Sequence, residues 1–259
     1  MMIRQEPIMS KIVIVTGASR GLGRNIALHL ADKGRDIIVT YFSNKEQAEA
    51  VVKEVESKGR KAAALQLDIH KSDTFDQFAS TIKDTLKNHF DRSNFDYLIN
   101  NAGTGVYASF MDTTDDQFMQ MMNEHIKAPF FLSQKLLPIM VDGGRVLNVS
   151  SGLTRVSSAG FAAYSIMKQA VECLTIYMAK ELGDRGITVN TIAPGAIETD
   201  FCGGVVRDTP DLNNEFANMT ALGRVGLPDD IGGSVAALLD DGNRWMNAQR
   251  VEVSGGQTI

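Results

Sequence analysis

Tyr164 and Lys168 stand four residues apart in the stretch FAAYSIMKQAV, and on a helix both would project from one face. A phenol with an ordinary pKa of about 10 does little chemistry near neutral pH. A lysine ammonium one turn away favours the phenolate, lowers that pKa and makes the pair a proton donor and acceptor. Ser151, in NVSSG, lies 13 residues before Tyr164 and offers a hydroxyl to the oxygen of a carbonyl. A core aromatic beside a surface lysine is the plain alternative, and the pair alone does not exclude it.

A second group of residues belongs to ligand binding. TGASRGLG (16–23) spaces Gly17, Gly21 and Gly23 as G-x-x-x-G-x-G between an apolar run and a helical pattern. Gly17 permits a tight turn, and Gly21 and Gly23 let the backbone approach a pyrophosphate at the positive end of the helix. No Walker lysine follows, so this is not an ATP loop. The turn from Gly17 through Ser19, Arg20, Gly21 and Leu22 to Gly23 therefore reads as a dinucleotide site. An NAD site presents an acid at the end of the second strand. Here that end reads TYFSNK, with Tyr41, Ser43, Asn44 and Lys45 and no acid. An acid would repel a 2′-phosphate, whereas the guanidinium of Arg20 can pair with one. The charge pattern favours NADP(H), with a merely solvated Arg20 as the alternative.

The elements that must position these residues are legible as alternating patterns. Strands are expected at 11–16, 36–41, 61–68, 95–100, 144–150, 187–194 and 250–255, with helices between them. The helix after the third strand should run to about residue 89, and the one before the fifth should end near Pro138. Apolar strands alternating with helices indicate an α/β fold: a Rossmann-type, doubly wound parallel sheet of about seven strands with helices on both faces. A TIM barrel alternates in the same way, and the glycine turn after the first strand decides against it.

Composition bounds the rest. The chain has 259 residues, 44% hydrophobic and 22% charged, with no linker-like stretch, so a single domain over 1–259 is expected. A net charge of −5 and the lack of a basic block argue against nucleic acid. No apolar run is long enough for a membrane span. The start, MMIRQEPIMS, lacks an apolar signal core. Cys173 and Cys202 read as free thiols of a reducing cytoplasm. No metal site is expected.

Taken together, these motifs resemble the short-chain dehydrogenase/reductase family from about residue 11 to 256. TGASRGLG looks like its cofactor turn, NNAG (100–103) like its motif after the fourth strand, and YSIMK like its YxxxK signature. NTIAPGAIETD (190–200) resembles the segment bordering the nicotinamide. The resemblance implies Tyr164 as general acid in carbonyl reduction, Lys168 as the group that lowers its pKa and holds the nicotinamide ribose, and Ser151 as the residue that orients the substrate oxygen. It further implies that Asp68 accepts from the adenine amine and Ile69 packs on the ring. Asn101, Ala102 and Gly103 would line the adenosine ribose, and Pro194, Gly195, Ile197 and Thr199 the nicotinamide end. One position departs from the pattern. The family's catalytic asparagine, which acts largely through its backbone carbonyl, is replaced in MMNEHIKAPFF by His125, either packed or part of the proton relay with a pKa of about 6.5. A second departure sets Asn247-Ala248 where relatives often have Thr-Gly.

The implied activity is NADPH-dependent interconversion of a ketone and a secondary alcohol, nearest to the 3-oxoacyl-thioester reductases. A sugar or polyol dehydrogenase is the alternative, and a non-catalytic dinucleotide-binding regulatory protein the rival from another class. Substrate identity should lie in TGVYASFMDTT (104–114) and in 201–219, where Phe201, Val205, Val206, Phe216 and Met219 could form an apolar lid hinged at Gly203-Gly204. The resemblance also implies a homotetramer built on the helix of Tyr164, with Phe161, Ala170, Leu174 and Met178 as candidates for a second buried face.

Overall fold

Each apolar run becomes a strand in the computed structural model, which describes residues 10–259. The expectation about a signal core rests almost entirely on residues 1–9, outside the described ones. The strands are β1 (Ile12–Val15), β2 (Asp36–Tyr41), β3 (Ala62–Gln66), β4 (Phe95–Asn100), β5 (Met140–Val149), β6 (Thr188–Pro194) and β7 (Arg250–Val253). They form one parallel sheet in the order β3-β2-β1-β4-β5-β6-β7. The order reverses between β1 and β4, and that switch opens a crevice beyond the strands' carboxyl ends.

Nine α-helices cover the sheet among the described residues. They are α1 (Gly21–Asp32), α2 (Lys45–Ser57), α3 (Phe75–Thr85), α4 (Asp115–Met122), α5 (Ala128–Leu136), α6 (Ala162–Glu181), α7 (Val205–Asp208), α8 (Pro210–Asn218) and α9 (Pro228–Leu238). Strand alternation sorts the core into two layers. Val13 and Val15 face a layer shared with α1, α2 and α9, while Ile12 and Ile14 face one shared with α3, α5 and α6. Helix α2 shows why such a segment folds: Ala48, Val51 and Val55 make its buried stripe, and the Asn44 side chain accepts from the Gln47 amide at 3.0 Å to cap it.

Boundaries differ from the sequence expectation at three places. Strand β5 starts at Met140: the chain bends at Gly143, φ 74°, without leaving the strand, and the register with β4 slips between Phe95 and Tyr97. Helix α3 changes at Thr85 into a π-helical turn, Leu86–Phe90, closed by left-handed Asp91, so the helical stretch ends close to the expected residue 89 but its last turn is not α-helical. The helix expected before β5 is divided into α4 and α5 by another π-helical turn, Asn123–Lys127. Ala248 takes a left-handed φ of 57° before β7, a conformation natural to glycine, and the Asn247 side chain secures it by accepting from the amides of Val189 and Ala248.

The expected second face of α6 is also rotated. Met178 and Leu174 pack into the core and Phe161 against the active-site cluster; the apolar residues left outside are Ile166, Ile176 and Tyr177. A helix that packs on the sheet with i, i+4, i+7 spacing must point those intervening residues away.

Candidate active site

The crevice floor is stitched together by backbone-directed hydrogen bonds. Thr16 Oγ1 donates to the Ile99 carbonyl (3.2 Å) and accepts from the amides of Asn101 (2.9 Å) and Ala102 (3.0 Å). Asn101 Nδ2 returns bonds to the carbonyls of Thr16 (2.9 Å) and Gly17 (3.2 Å). The glycines are required by this closeness. Gly17 has φ 63°, and a Cβ there would sit 2.8 Å from Ala102 Cα; a Cβ on Gly23 would meet the Gly17 carbonyl and the Asn101 side chain.

These features fit a dinucleotide phosphate. Helix α1 begins with no acidic residue in its first turn and no side chain capping it, so its amides face the crevice. Arg20, exposed at the helix start, lies 3.6 Å from Asp200 across the crevice. Ser19 is half-buried in the turn, and Leu22 packs on the layer beneath. Beyond β2, Ser43, Asn44 and Lys45 are exposed, with Asn44 capping α2 and Lys45 3.4 Å from Glu49. Tyr41 corrects the sequence reading. Strand alternation puts its ring in the core with Ile37 and Val39, only 8% exposed, so it presents little to a ligand.

Asp68 and Ile69 follow β3. Burial opposes ionisation of Asp68, but the amide and ring of His70 donate to its carboxylate, both at 3.0 Å, and hold its pKa below the usual range. Ile69 packs on the α3–α5 layer. On the far side Pro194, Gly195, Ile197 and Thr199 descend from β6, with Thr199 Oγ1 accepting from the Phe201 amide at 3.2 Å and Ile197 bridging to Gly226. A Cβ on Gly195 would meet Gln257 Oε1 and Ser254 at 2.8 Å.

Ser151, Tyr164 and Lys168 meet where β5 and α6 flank the crevice. Ser151 caps a short 3-10 turn, its Oγ accepting from the Leu153 amide at 3.2 Å. Lys168 Nζ donates to the Val149 carbonyl (2.8 Å) and lies 5.6 Å from the centroid of the Tyr164 ring. Both side chains are buried. The phenol pKa departs from the sequence expectation. Burial raises it above the ordinary value, while the adjacent Ser151 hydroxyl pulls the other way and Cys202 adds to the rise. Burial also lowers Lys168 to about 8, with the charge of Glu124 opposing that fall. Desolvation of the phenol is the leading effect, and the Phe201 ring packs beside it at a tilt, 5.4 Å between centroids.

His125 sits in the π-helical turn beside Tyr164, ring centroids 5.1 Å apart and nearly perpendicular. Its Nε2 donates to the Thr104 carbonyl at 2.8 Å, and a Cβ on Gly103 would strike its ring. Nδ1 is buried and has no partner. Burial first, then the charge of Lys168, pushes its pKa well below the ordinary value, and the Thr104 bond only partly compensates. These effects favour the neutral imidazole and the packed alternative over an ionisation between pH 5 and 8. Pro129, four residues on, has no N–H to give the His125 carbonyl.

Sequence reasoning missed Glu124, which is 1% exposed. Its carboxylate accepts from the Thr104 amide (2.6 Å) and hydroxyl (2.8 Å), Gln120 Nε2 (2.9 Å) and His70 Nε2 (3.0 Å). The signal was present: Glu124 falls three residues after buried Met121 and four before buried Ala128, a charge inside an apolar stripe. Asn100 and Asn148 were missed too; facing each other on β4 and β5, they join Ser133 and Thr175 across the sheet.

Comparison with known proteins agrees with this geometry. A family model described as enoyl-(acyl carrier protein) reductase matches residues 17–258. The 3-oxoacyl-[acyl-carrier-protein] reductase FabG of Staphylococcus aureus is 35% identical over 250 residues, covering 96% of this chain and 98% of its own. The structure of LugOII, a promiscuous reductase catalysing keto-reduction at C1 in lugdunomycin biosynthesis, superposes with a TM-score of 0.91 at 36% identity, over 98% of this chain and 100% of that one. The angucycline C-6 ketoreductase LanV, solved with bound NADP, gives 0.90 at 33% identity over 96% of each chain. The chain belongs to the short-chain dehydrogenase/reductase family. It is an NADP(H)-dependent oxidoreductase that interconverts ketones and secondary alcohols.

Proposed function

We propose that this enzyme reduces a compact, ring-bearing hydrophobic ketone, with Tyr164 as proton donor, Lys168 as the cation that supports it and Ser151 as the holder of the substrate oxygen. NADPH supplies the hydride to the carbonyl carbon. Tyr164 gives its proton to the carbonyl oxygen, and a raised phenol pKa keeps that proton in place until a substrate arrives. The Ser151 hydroxyl fixes the oxygen in front of the phenol. Gly17, Ser19, Arg20, Gly21, Leu22, Gly23, Ser43 and Lys45 would hold the phosphates, Asp68, Ile69 and Asn101 to Gly103 the adenosine end, and Pro194 to Thr199 the nicotinamide end. His125 is a positioning residue that grips Gly103 and Thr104.

The observation that carries the substrate reading is an aromatic collar. Tyr107 and Phe161 pack edge to face at 5.3 Å, Phe161 lies 6.4 Å from Tyr164, and Phe201 closes the third side. Aromatic walls favour planar rings by stacking. Cations near the rim are already paired, Arg207 with Asp200 (2.6 Å) and Asp208 (2.7 Å) and Arg155 with Glu252 (2.5 Å), which leaves little to attract an acidic carrier protein. A 3-oxoacyl thioester remains the second reading, supported by the likeness to FabG.

Steady-state kinetics on α-tetralone and on the N-acetylcysteamine thioester of acetoacetate separate the two. The collar requires the bicyclic ketone to have the higher kcat/KM, and Phe201→Ala to lower it several-fold for that substrate while sparing the thioester. The reverse order rejects the ring-bearing class. We also infer a cytoplasmic homotetramer. No described helix is long and apolar enough to cross a membrane, and Phe130, Phe131, Ile166, Ile176 and Tyr177 leave apolar surface on α5 and α6 for other copies. A monomer mass by light scattering refutes the assembly.

A further inference from the structure

We infer that Glu124 is the buried counter-charge of Lys168, a positioning residue that holds the catalytic lysine in its ammonium form across a shared cavity. The inference rests on the assignment of Lys168 just proposed. Glu124 and Lys168 line the same cavity of about 20 Å³, with His125, Asn100 and Asn148. Glu124 and Lys168 are 1% and 5% exposed, so bulk solvent screens the two charges only weakly.

A carboxylate 1% exposed is costly unless its oxygens are occupied. Glu124 has four donors from three directions: the Thr104 amide and hydroxyl after β4, Gln120 one turn back on α4, and His70 after β3. Only His70 among these brings charge. Its Nδ1 and Nε2 each face a carboxylate, Asp68 and Glu124, both at 3.0 Å, which requires both nitrogens to carry protons. Burial opposes that imidazolium, but its bonds to Glu124 and Asp68 prevail and raise the pKa. Lys71 stands 3.5 Å from Asp68 and balances the outer end.

The groups facing Lys168 are few. Tyr164 lies one turn back, neutral His125 stands across the cavity, and Glu172 one turn on is engaged by Ser150 (2.7 Å) and Arg250 (2.8 Å). Glu124 is thus the carboxylate of this set not already spent on an arginine. Its charge works against desolvation on the lysine, in the direction catalysis needs.

The ammonium is lost as pH rises, and removing the negative charge of Glu124 lowers the lysine pKa. Glu124→Gln keeps the shape and an acceptor for Thr104 but not the charge. The alkaline limb of its kcat/KM profile for ketone reduction should move to lower pH by on the order of one unit. The loss relative to wild type should be larger on the alkaline limb than near pH 6. Glu124→Asp keeps the charge and should keep the limb within a few tenths of a unit. Glu124→Met serves if the glutamine variant does not fold, since it leaves no polar group to satisfy, and should show the same shift. A limb that stays put in the uncharged variants, an equal shift in Glu124→Asp, or loss of activity at every pH overturns the inference. Tyr164→Phe in the same assay keeps the two questions apart: activity there defeats the catalytic assignment, whereas an inactive Tyr164→Phe with an unmoved Glu124→Gln limb defeats only this one.

Discussion

The two walls of the crevice are built on opposite principles. The wall from β1 to β4 is fixed by backbone contacts: Thr16 and Asn101 lock the glycine turn to the loop after β4, and Gly17 and Gly23 have no room for a side chain. The rim opposite is made of side chains on poorly anchored chain. Tyr107, Phe110 and Met111 are 71, 79 and 86% exposed, and Cys202, Gly203 and Gly204 are three successive left-handed residues. Backbone geometry suits a ligand that never changes, the dinucleotide. Exposed aromatic rings on a strained loop suit a substrate that differs from one relative to the next.

The largest effect should come from the group both walls converge on. Tyr164→Phe keeps the ring and its contacts with Phe161, Phe201 and His125 but removes the donated proton. Turnover should fall by at least roughly 10²–10⁴-fold with NADPH affinity little changed. Steady-state rates and a fluorescence titration of NADPH check both halves, and a near-active variant would break the assignment. Next comes the rigid wall. Gly17→Val adds a Cβ 2.8 Å from Ala102 Cα at a φ of 63°. Strain and overpacking of a few kcal/mol should weaken NADPH binding by roughly 100-fold or more. An equally large insertion at Gly203, which has open space around it, should leave cofactor affinity intact and alter only substrate kinetics.

The same contrast explains what the sequence revealed. The rigid wall was legible because its constraints act on single residues: a glycine where a Cβ clashes and an acid absent after β2. Tyr41 was misjudged because proximity in sequence to the cofactor says nothing of strand alternation, which turns its ring inward. Glu124 and His70 escaped because neither means anything alone. They meet across 54 residues, through a π-helical turn that no periodicity announces. The phenol pKa was expected to fall because the spacing of Lys168 is readable in sequence, whereas the burial of the phenol comes only with the fold.

A smaller effect sharpens the division within the cofactor wall itself. Arg20 is exposed and reaches the crevice by its side chain alone, so its loss should spare the turn. Arg20→Ala should weaken NADPH binding by some 10- to 150-fold, the worth of a charged hydrogen bond, and leave NADH unaffected. Equal losses for both cofactors, measured by titration, would move Arg20 from the 2′-phosphate to the shared pyrophosphate.

The smallest kinetic effect is expected at His125, where the chain leaves its family's pattern. The ring is neutral and spends its one N–H on Thr104, so its contribution is to the position of the loop and not to carrying protons. His125→Asn retains an N–H donor of shorter reach and should reduce turnover only several-fold, with a pH–rate profile parallel to wild type. Stability should respond more clearly than rate. The folded state holds the His125 pKa well below its ordinary 6.5, so below that pH the unfolded chain binds a proton that the folded one refuses. Folding stability is therefore intact above 6.5 and declines as pH falls toward the folded value, by up to about 1.4 kcal/mol per pH unit. Asparagine has no such proton to bind. Urea unfolding at pH 7.5, 6 and 5 should show the wild type losing more stability than His125→Asn over that range, and parallel losses would mean that the imidazole does titrate inside the folded protein.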